Sequence, residues 1–278
     1  MIHLLLAASL STAVPAALPE SVAAQVASPE ADDAKPAMFV VRDQDTTIYI
    51  FGTFHALDGQ SDWFSGNLRT AFEGSDELVL ETLLPEHTPL PAAAPATVRS
   101  PFAAIPFAPS ASFLSTTRLA LSAGQARGMN VANGADMVLR HIAESEGKQV
   151  EGLETLGLQL RMFNRMPATM MPNPRKAASS KEDDDRAGLS NTMSDMEAAW
   201  KRGDQTVFVR LLDELRRSSP DGYRMMFTER NARWADWIAA RLRTPGTVFV
   251  AVGAGHLVGK DSVLVRLAEH GIESSRLN

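Results

Sequence analysis

The sequence contains no cysteine, and no segment after its first residues reaches the length of an apolar membrane span. Without cysteine, disulfides, a cysteine nucleophile, a thiolate zinc site and lipidation at a cysteine are all excluded, so any metal must bind His, Asp or Glu. A transmembrane helix needs about 20 apolar residues, so we expect no stable membrane insertion. The net charge of −6, without a basic block, argues against nucleic acid as a partner.

The N-terminal segment has the order of a secretory signal peptide. A short apolar run from Ile2 to Leu10 precedes small residues and a plausible cleavage site at residues 22–24 (VAA). No lysine or arginine precedes the run, so an Ala-rich tail without a targeting role is the alternative. We predict a signal peptide over residues 1–24, a disordered linker over 25–37 and one domain over 38–278, in a periplasmic or secreted protein.

Short strands that alternate with helices predict an α/β fold with a central mixed sheet and flanking helices. Apolar segments at Met38–Arg42 and Thr46–Phe51 surround a polar turn and predict a hairpin. A helix that begins at Ser61 or Asp62 and a strand at Glu77–Thr82 follow. Strand, helix and strand in this order favour a right-handed crossover, so the two strands should be parallel and end at the same edge of the sheet.

The remainder of the chain repeats this alternation, with two irregular segments. A helix is predicted from Asp136 to about Glu146, and further strands at Gln149–Leu153 and Thr247–Val252 with helices between them. The Pro- and Ala-rich segment Pro85–Pro109 predicts a long surface excursion. The segment of residues 165–188, with three prolines and the charge run Lys181–Arg186, predicts a mobile loop.

Two Gly-x-x-His motifs each follow an apolar strand, at Gly52–His55 (GTFH) and Gly253–His256 (GAGH). Glycine permits a sharp turn after the strand, and open α/β sheets bind ligands at such strand ends. Each motif alone is weak evidence, and an ordinary loop role is the simpler interpretation for either histidine. We expect both histidines to lie on loops outside the core, so that replacing either leaves the fold largely intact.

Glu81 is the third candidate, because it ends the apolar strand segment ELVLE. A carboxylate there needs a cation, a hydrogen-bond donor or water, since burying it unpaired is costly. With His55 and His256 it would form a set of two imidazoles and one carboxylate, which suits Zn²⁺, Mn²⁺, Fe²⁺ or Co²⁺. A strand-end carboxylate that faces solvent is the equally favoured alternative.

Five segments extend these motifs in order along the chain: YIFGTFHAL, ELVLET, VEGLET with Gln159 nearby, ERNARWADWI and FVAVGAGHLVGKDSVLVRLAEHGIE. Together they resemble the TraB/GumN-like family. The resemblance implies a fold of the EreA/ChaN-like type, with the paired Gly-x-x-His loops at the C-terminal ends of strands. It also implies kinship to the Tiki-type metal-dependent proteases, and ChaN-like relatives have been associated with haem.

The resemblance implies a site formed by His55, Glu81 and His256, with Arg230 and Asn231 as supporting polar residues. From the sequence itself, Asn231 lies on an apolar helical stripe, so a structural hydrogen bond to a neighbouring loop is its simpler role.

Arg230 can bind a carboxylate, and the candidates are Glu81, Glu154 and a substrate terminus. For Glu154, a pairing role within the fold is the simpler interpretation.

The leading functional hypothesis is a metal-dependent hydrolase that acts on a peptide or protein substrate. A divalent ion on His55 and His256 would activate water, while Glu81 would complete the coordination or accept a proton. Arg230 would stabilise developing negative charge or orient a substrate carboxylate. A metal-free hydrolase with one histidine as general base is a variant. The alternatives from other classes are a non-catalytic periplasmic protein that binds a peptide, a metal or haem, and a structural accessory of an envelope assembly.

Overall fold

The computed structural model describes residues 34–83, 122–165 and 181–278. The predictions for the signal peptide and for Pro85–Pro109 lie outside these residues, as does most of the predicted linker. The described strands form one six-stranded sheet. They are β1 (Met38–Arg42), β2 (Thr46–Thr53), β3 (Glu77–Thr82), β4 (Gln149–Glu154), β5 (Gly246–Gly253) and β6 (Ser275–Arg276).

The strand order β4-β3-β5-β2-β1-β6 places the last long strand at the centre of the sheet. β5 lies between β2 and β3 and runs parallel to both, and β4 pairs in parallel with β3. β1 is antiparallel to both β2 and β6, so the sheet is mixed and the predicted hairpin is confirmed. The predicted α/β class and the parallel orientation of β2 and β3 are also confirmed. The C-terminal ends of β2, β3 and β5 therefore lie at one edge.

Helices flank the sheet. The described α-helices include α1 (Gly66–Glu73), α2 (Ala135–Ser145), α3 (Leu156–Asn164), α4 (Lys181–Lys201), α5 (Thr206–Ser218), α6 (Pro220–Tyr223), α7 (Glu229–Arg241) and α8 (Val263–Glu269). A π-helical turn at Arg224–Thr228 leads into α7, and a 3₁₀ turn at Ala254–Leu257 follows β5. Within the three described ranges, we find no helix with the length and hydrophobicity of a membrane span.

From Lys181 onward the predicted mobile loop is helical, because the charge run Lys181–Arg186 belongs to α4, so the prediction was wrong for this part. Residues 166–180 of the predicted loop lie outside the described residues. No proline lies between Lys181 and Lys201, so nothing in the sequence interrupts the helix.

The helix predicted to begin at Ser61 or Asp62 begins instead at Gly66. The intervening Trp63 stacks on Phe51 of β2, with ring centroids 5.9 Å apart. Core packing of this aromatic side chain therefore holds the segment before α1 in an irregular conformation.

Two apolar clusters cover the two faces of the sheet. Phe51 packs with Trp200 on one face, and Ile50 belongs with Trp234 to the cluster on the other. This division follows from the period of two along a strand. Trp200 also donates through Nε1 to the carbonyl oxygen of Gly52 at 2.7 Å. Buried side chains on both faces thus fix the edge at which β2 ends.

Candidate functional site

The two histidines and Glu81 meet at the edge where β2, β3 and β5 end. His55 follows β2, Glu81 is the second-last residue of β3, and His256 lies in the 3₁₀ turn after β5. A Cβ atom built on Gly253 would lie 3.1 Å from Glu81 Oε1, 3.4 Å from His55 Nε2 and 3.7 Å from His256 Cδ2. The three side chains that the sequence singled out therefore converge over the backbone of Gly253.

We expect the substitution Gly253→Ala to destabilise the protein by about 1–3 kcal/mol, because the new methyl group would crowd Glu81 and His55. The measurement is urea unfolding. Gly188→Ala is the matched control, since a Cβ there meets no atom within 4 Å and replacing a helical glycine adds about 0.5–1 kcal/mol of stability. Equal or higher stability of Gly253→Ala would contradict the crowding.

Glu81 is an ion-paired carboxylate with both oxygens engaged. Its Oε2 accepts a hydrogen bond from Arg230 Nη2 at 2.9 Å, and its Oε1 accepts one from the Gly253 amide at 2.6 Å. Burial raises the pKa of Glu81, but its interactions with His256, Arg230 and His55 and with the Gly253 amide outweigh burial and lower the pKa to about 2. The side chain is only 13% exposed, so the alternative of a solvated strand end was wrong.

Arg230 links this carboxylate to a second one in the protein interior. Its Nε donates to Glu154 Oε2 at 3.0 Å while Nη2 donates to Glu81. The guanidinium carbon lies 4.5 Å from the ring centroid of Trp234, and the side chain is 5% exposed. Of the three partners predicted for Arg230, the structure shows both protein carboxylates, and the simpler pairing role of Glu154 is confirmed.

His256 is buried between two aromatic rings, which the sequence did not predict. Its ring centroid lies 4.8 Å from that of Phe227 and 4.5 Å from that of Trp234. The expectation that His256 lies outside the core was wrong, because the apolar stripe of α7 packs over it. Its replacement by alanine would open a cavity beside Trp234.

Asn231 determines which nitrogen of His256 carries a proton. The amide group donates through Nδ2 to Asp261 O at 2.7 Å, which confirms the predicted bond to a neighbouring loop. Its Oδ1 lies 2.5 Å from His256 Nδ1, and because an amide oxygen only accepts, Nδ1 carries the proton and Nε2 the lone pair. Burial and the charge of Arg230 lower the pKa of His256 to about 3 despite Glu81, so the ring is neutral.

His55 differs from His256 in that 58% of its side-chain surface is exposed. Its Nδ1 lies 3.2 Å from Asp136 Oδ1, on the first turn of α2. The sequence indicated the helix start at Asp136 but not this partner, because the contact joins segments about 80 residues apart.

We expect His55 to titrate above the ordinary histidine range. Partial burial of the ring lowers the pKa of His55, and so does the charge of Arg230. The carboxylates of Asp136 and Glu81 outweigh both effects and raise the pKa from 6.5 to about 9. The raised pKa stabilises the folded protein below pH 6.5, and this stabilisation is lost as the pH rises through about 9. Because the side chain is more than half exposed, solvent screening makes the contribution small. Histidine ring signals recorded by NMR against pH measure the value; an ordinary pKa near 6.5 would contradict it.

The imidazole nitrogens and the carboxylate oxygen at this edge are atoms of the kind that bind divalent metal ions. His256 Nε2 and Glu81 Oε1 are 3.6 Å apart, close to the separation of about 3.4 Å between two ligands of one tetrahedral Zn²⁺. However, Arg230 Nη1 lies 3.3 Å from the same Nε2, so an ion would compete with the guanidinium. No preformed group of three or more His, Asp or Glu ligands is found in the part of the chain that the structure describes.

Comparison with known proteins identifies one family. The model of the TraB/PrgY/gumN family matches residues 37–100 and 93–276, which include every residue of the site described above. No curated protein matches the chain. No solved structure matches it either.

Proposed function

Since the chain belongs to the TraB/PrgY/gumN family, we propose that it is a metal-dependent hydrolase that cleaves peptide bonds outside the cytoplasm. The observation that carries this proposal is the convergence of His55 Nε2, Glu81 Oε1 and the His256 ring over Gly253. Two imidazoles and one carboxylate are the ligands of several three-ligand hydrolytic metal sites. The three side chains also lie at the C-terminal ends of parallel strands, where open α/β sheets bind their ligands.

In this proposal His55, Glu81 and His256 hold the ion, which would be Mn²⁺, Co²⁺ or Zn²⁺. When bound, such an ion supplies an activated water and polarises the scissile carbonyl. Glu81 acts as a ligand rather than as the general base, because a carboxylate with a pKa of about 2 is a poor proton acceptor. Asn231 keeps Nε2 of His256 free of a proton, and Arg230 holds the Glu81 carboxylate in place.

One observation favours a second candidate, a hydrolase that needs no metal. Arg230 Nη1 already lies within 3.3 Å of the His256 nitrogen that a metal would use. In that case exposed His55, paired with Asp136, would accept the proton of the attacking water, and because its pKa is raised to about 9 this activity would increase toward alkaline pH.

Metal analysis and peptide-library cleavage by the purified protein test the proposal, with His55→Ala compared with the wild type. His270→Ala is the matched control, because His270 is an exposed histidine that pairs with Asp236 on the surface. The proposal expects one bound ion and metal-dependent cleavage, both lost in His55→Ala and kept in His270→Ala. Cleavage that survives chelation but needs His55 would support the metal-free candidate. Peptide or haem binding without cleavage would instead support a binding protein.

Export is part of the proposal and rests on the sequence. We expect the protein purified from the periplasm or the medium to begin near Gln25, because residues 22–24 have the pattern of a signal-peptidase site. N-terminal sequencing of fractionated cells is the measurement. An intact N-terminus on protein confined to the cytoplasm would overturn this part of the proposal.

A further inference from the structure

The start of α2 is docked against the loop that carries His55. The amide of Ala135 donates to the carbonyl oxygen of Phe54 at 2.9 Å. A Cβ atom on Gly134, the residue that precedes α2, would lie 2.3 Å from the carbonyl oxygen of His55, so this close approach requires glycine. The helix start and the histidine loop are therefore fixed relative to each other.

Asp136 extends from this helix start to His55. Its Oδ1 is buried and lies 3.2 Å from His55 Nδ1 in an ion pair. Among the described residues this oxygen has no hydrogen-bond partner, so the ion pair is its main polar contact. A negative charge in the first turn of a helix is stabilised by the helix dipole, so Asp136 is a favourable site for an ionised carboxylate. The pairing with His55 Nδ1 leaves Nε2 as the nitrogen that faces Glu81 over Gly253.

Each histidine is thus contacted at Nδ1 by a polar side chain from the start of a helix. Asn231, in the first turn of α7, contacts Nδ1 of His256, and Asp136, in the first turn of α2, contacts Nδ1 of His55. In both rings Nε2 is directed to the site. Two supports from different helices that leave the same nitrogen free indicate an arrangement for binding rather than a chance surface contact.

We propose that Asp136 is a positioning residue that orients the His55 ring through Nδ1 and presents Nε2 to the ligand or substrate over Gly253. The proposal rests on the function proposed above, in which His55 Nε2 is a metal ligand. A carboxylate behind a ligating histidine fixes the ring orientation and the tautomer, and its loss lowers metal affinity by about 10- to 100-fold. A purely structural contact would change stability and leave the tautomer and the affinity unaltered.

The test compares Asp136→Ala and Asp136→Asn with the wild-type chain. Glu144→Gln is the matched control, because it removes one negative charge from the other end of α2, where Glu144 pairs with Arg140 on the same helix. Ring ¹⁵N NMR above the pKa of His55 reports its tautomer without any metal. We expect the Nδ1–H form in the wild type and in Glu144→Gln, and a mixture of tautomers in Asp136→Ala. Asp136→Asn should lie closer to the wild type, since the amide oxygen still accepts a hydrogen bond.

Titration with Co²⁺ alone is the second measurement. We expect about 10- to 100-fold weaker Co²⁺ binding by Asp136→Ala, a smaller loss in Asp136→Asn and none in Glu144→Gln. A wild-type protein that neither binds Co²⁺ nor cleaves peptides would refute the proposed function, and the tautomer would then decide the role of Asp136 alone. An unchanged tautomer in Asp136→Ala would overturn the positioning role.

Discussion

Replacing Arg230 with methionine is expected to lower the free energy of unfolding by about 3–5 kcal/mol, because it removes the buried cation that Glu81 and Glu154 share. Arg230 donates to Glu154 at 3.0 Å and to Glu81 at 2.9 Å. The side chains of both acceptors are at most 13% exposed. Methionine retains most of the packing against Trp234, so the loss reports the charge rather than a cavity.

Arg233→Met is the matched control for this prediction. Arg233 lies on the same helix and also donates to Glu154, at 3.1 Å, but 49% of its side chain is exposed. Such a partly solvated ion pair stabilises by about 0–1 kcal/mol. Chemical denaturation of both variants and the wild type measures the two losses in the free energy of unfolding. Equal stability losses would show that Arg230 has no special place in the buried network.

Replacing Glu81 with glutamine is expected to reduce metal occupancy and hydrolysis together, each by about 10-fold or more, because the loss of a ligand should cost at least as much as the loss of a residue behind one. Glutamine keeps one acceptor oxygen and the shape of the side chain, but it cannot neutralise the ion. Loss of hydrolysis with full occupancy would identify Glu81 as the general base instead. Elemental analysis and peptide cleavage on the same samples separate these two roles.

Glu77→Gln is the control for the Glu81 variant. Glu77 is the first residue of β3, the strand that also contains Glu81, and its carboxylate lies 2.7 Å from Arg241 Nε. Its side chain is 14% exposed, which is similar to Glu81. Removing this charge should leave occupancy and hydrolysis unchanged. If Glu81→Gln also changed neither quantity, Glu81 would have no role in catalysis or in metal binding.

The sequence was sufficient to place His55, Glu81 and His256 at strand ends, because glycine after an apolar strand and a carboxylate within one are local signals. It was not sufficient to show that β5 lies between β2 and β3, which is the arrangement that brings the three side chains together. Strand order depends on tertiary packing between segments about 170 residues apart, and no local pattern encodes it.

The partners of the site residues were the least predictable part. The apolar stripe of α7 indicated a buried helix face, but not that Trp234 and Phe227 would enclose His256. Similarly, the acidic start of α2 indicated a helix N-terminus, and only the folded chain places Asp136 beside His55. Such contacts are determined by which elements pack together, whereas the helix and strand patterns are determined by neighbouring residues.

Anomalous diffraction at the metal absorption edge, from crystals grown with Mn²⁺, Co²⁺ or Zn²⁺, is the most direct test of the shared site. We predict one peak over Gly253, at about 2.0–2.3 Å from His55 Nε2, His256 Nε2 and a Glu81 oxygen. Crystals of His55→Ala should lose the peak or show it much weaker. A wild-type crystal with no peak there, or with the ion bound elsewhere, would contradict the claim that these three residues form one metal site.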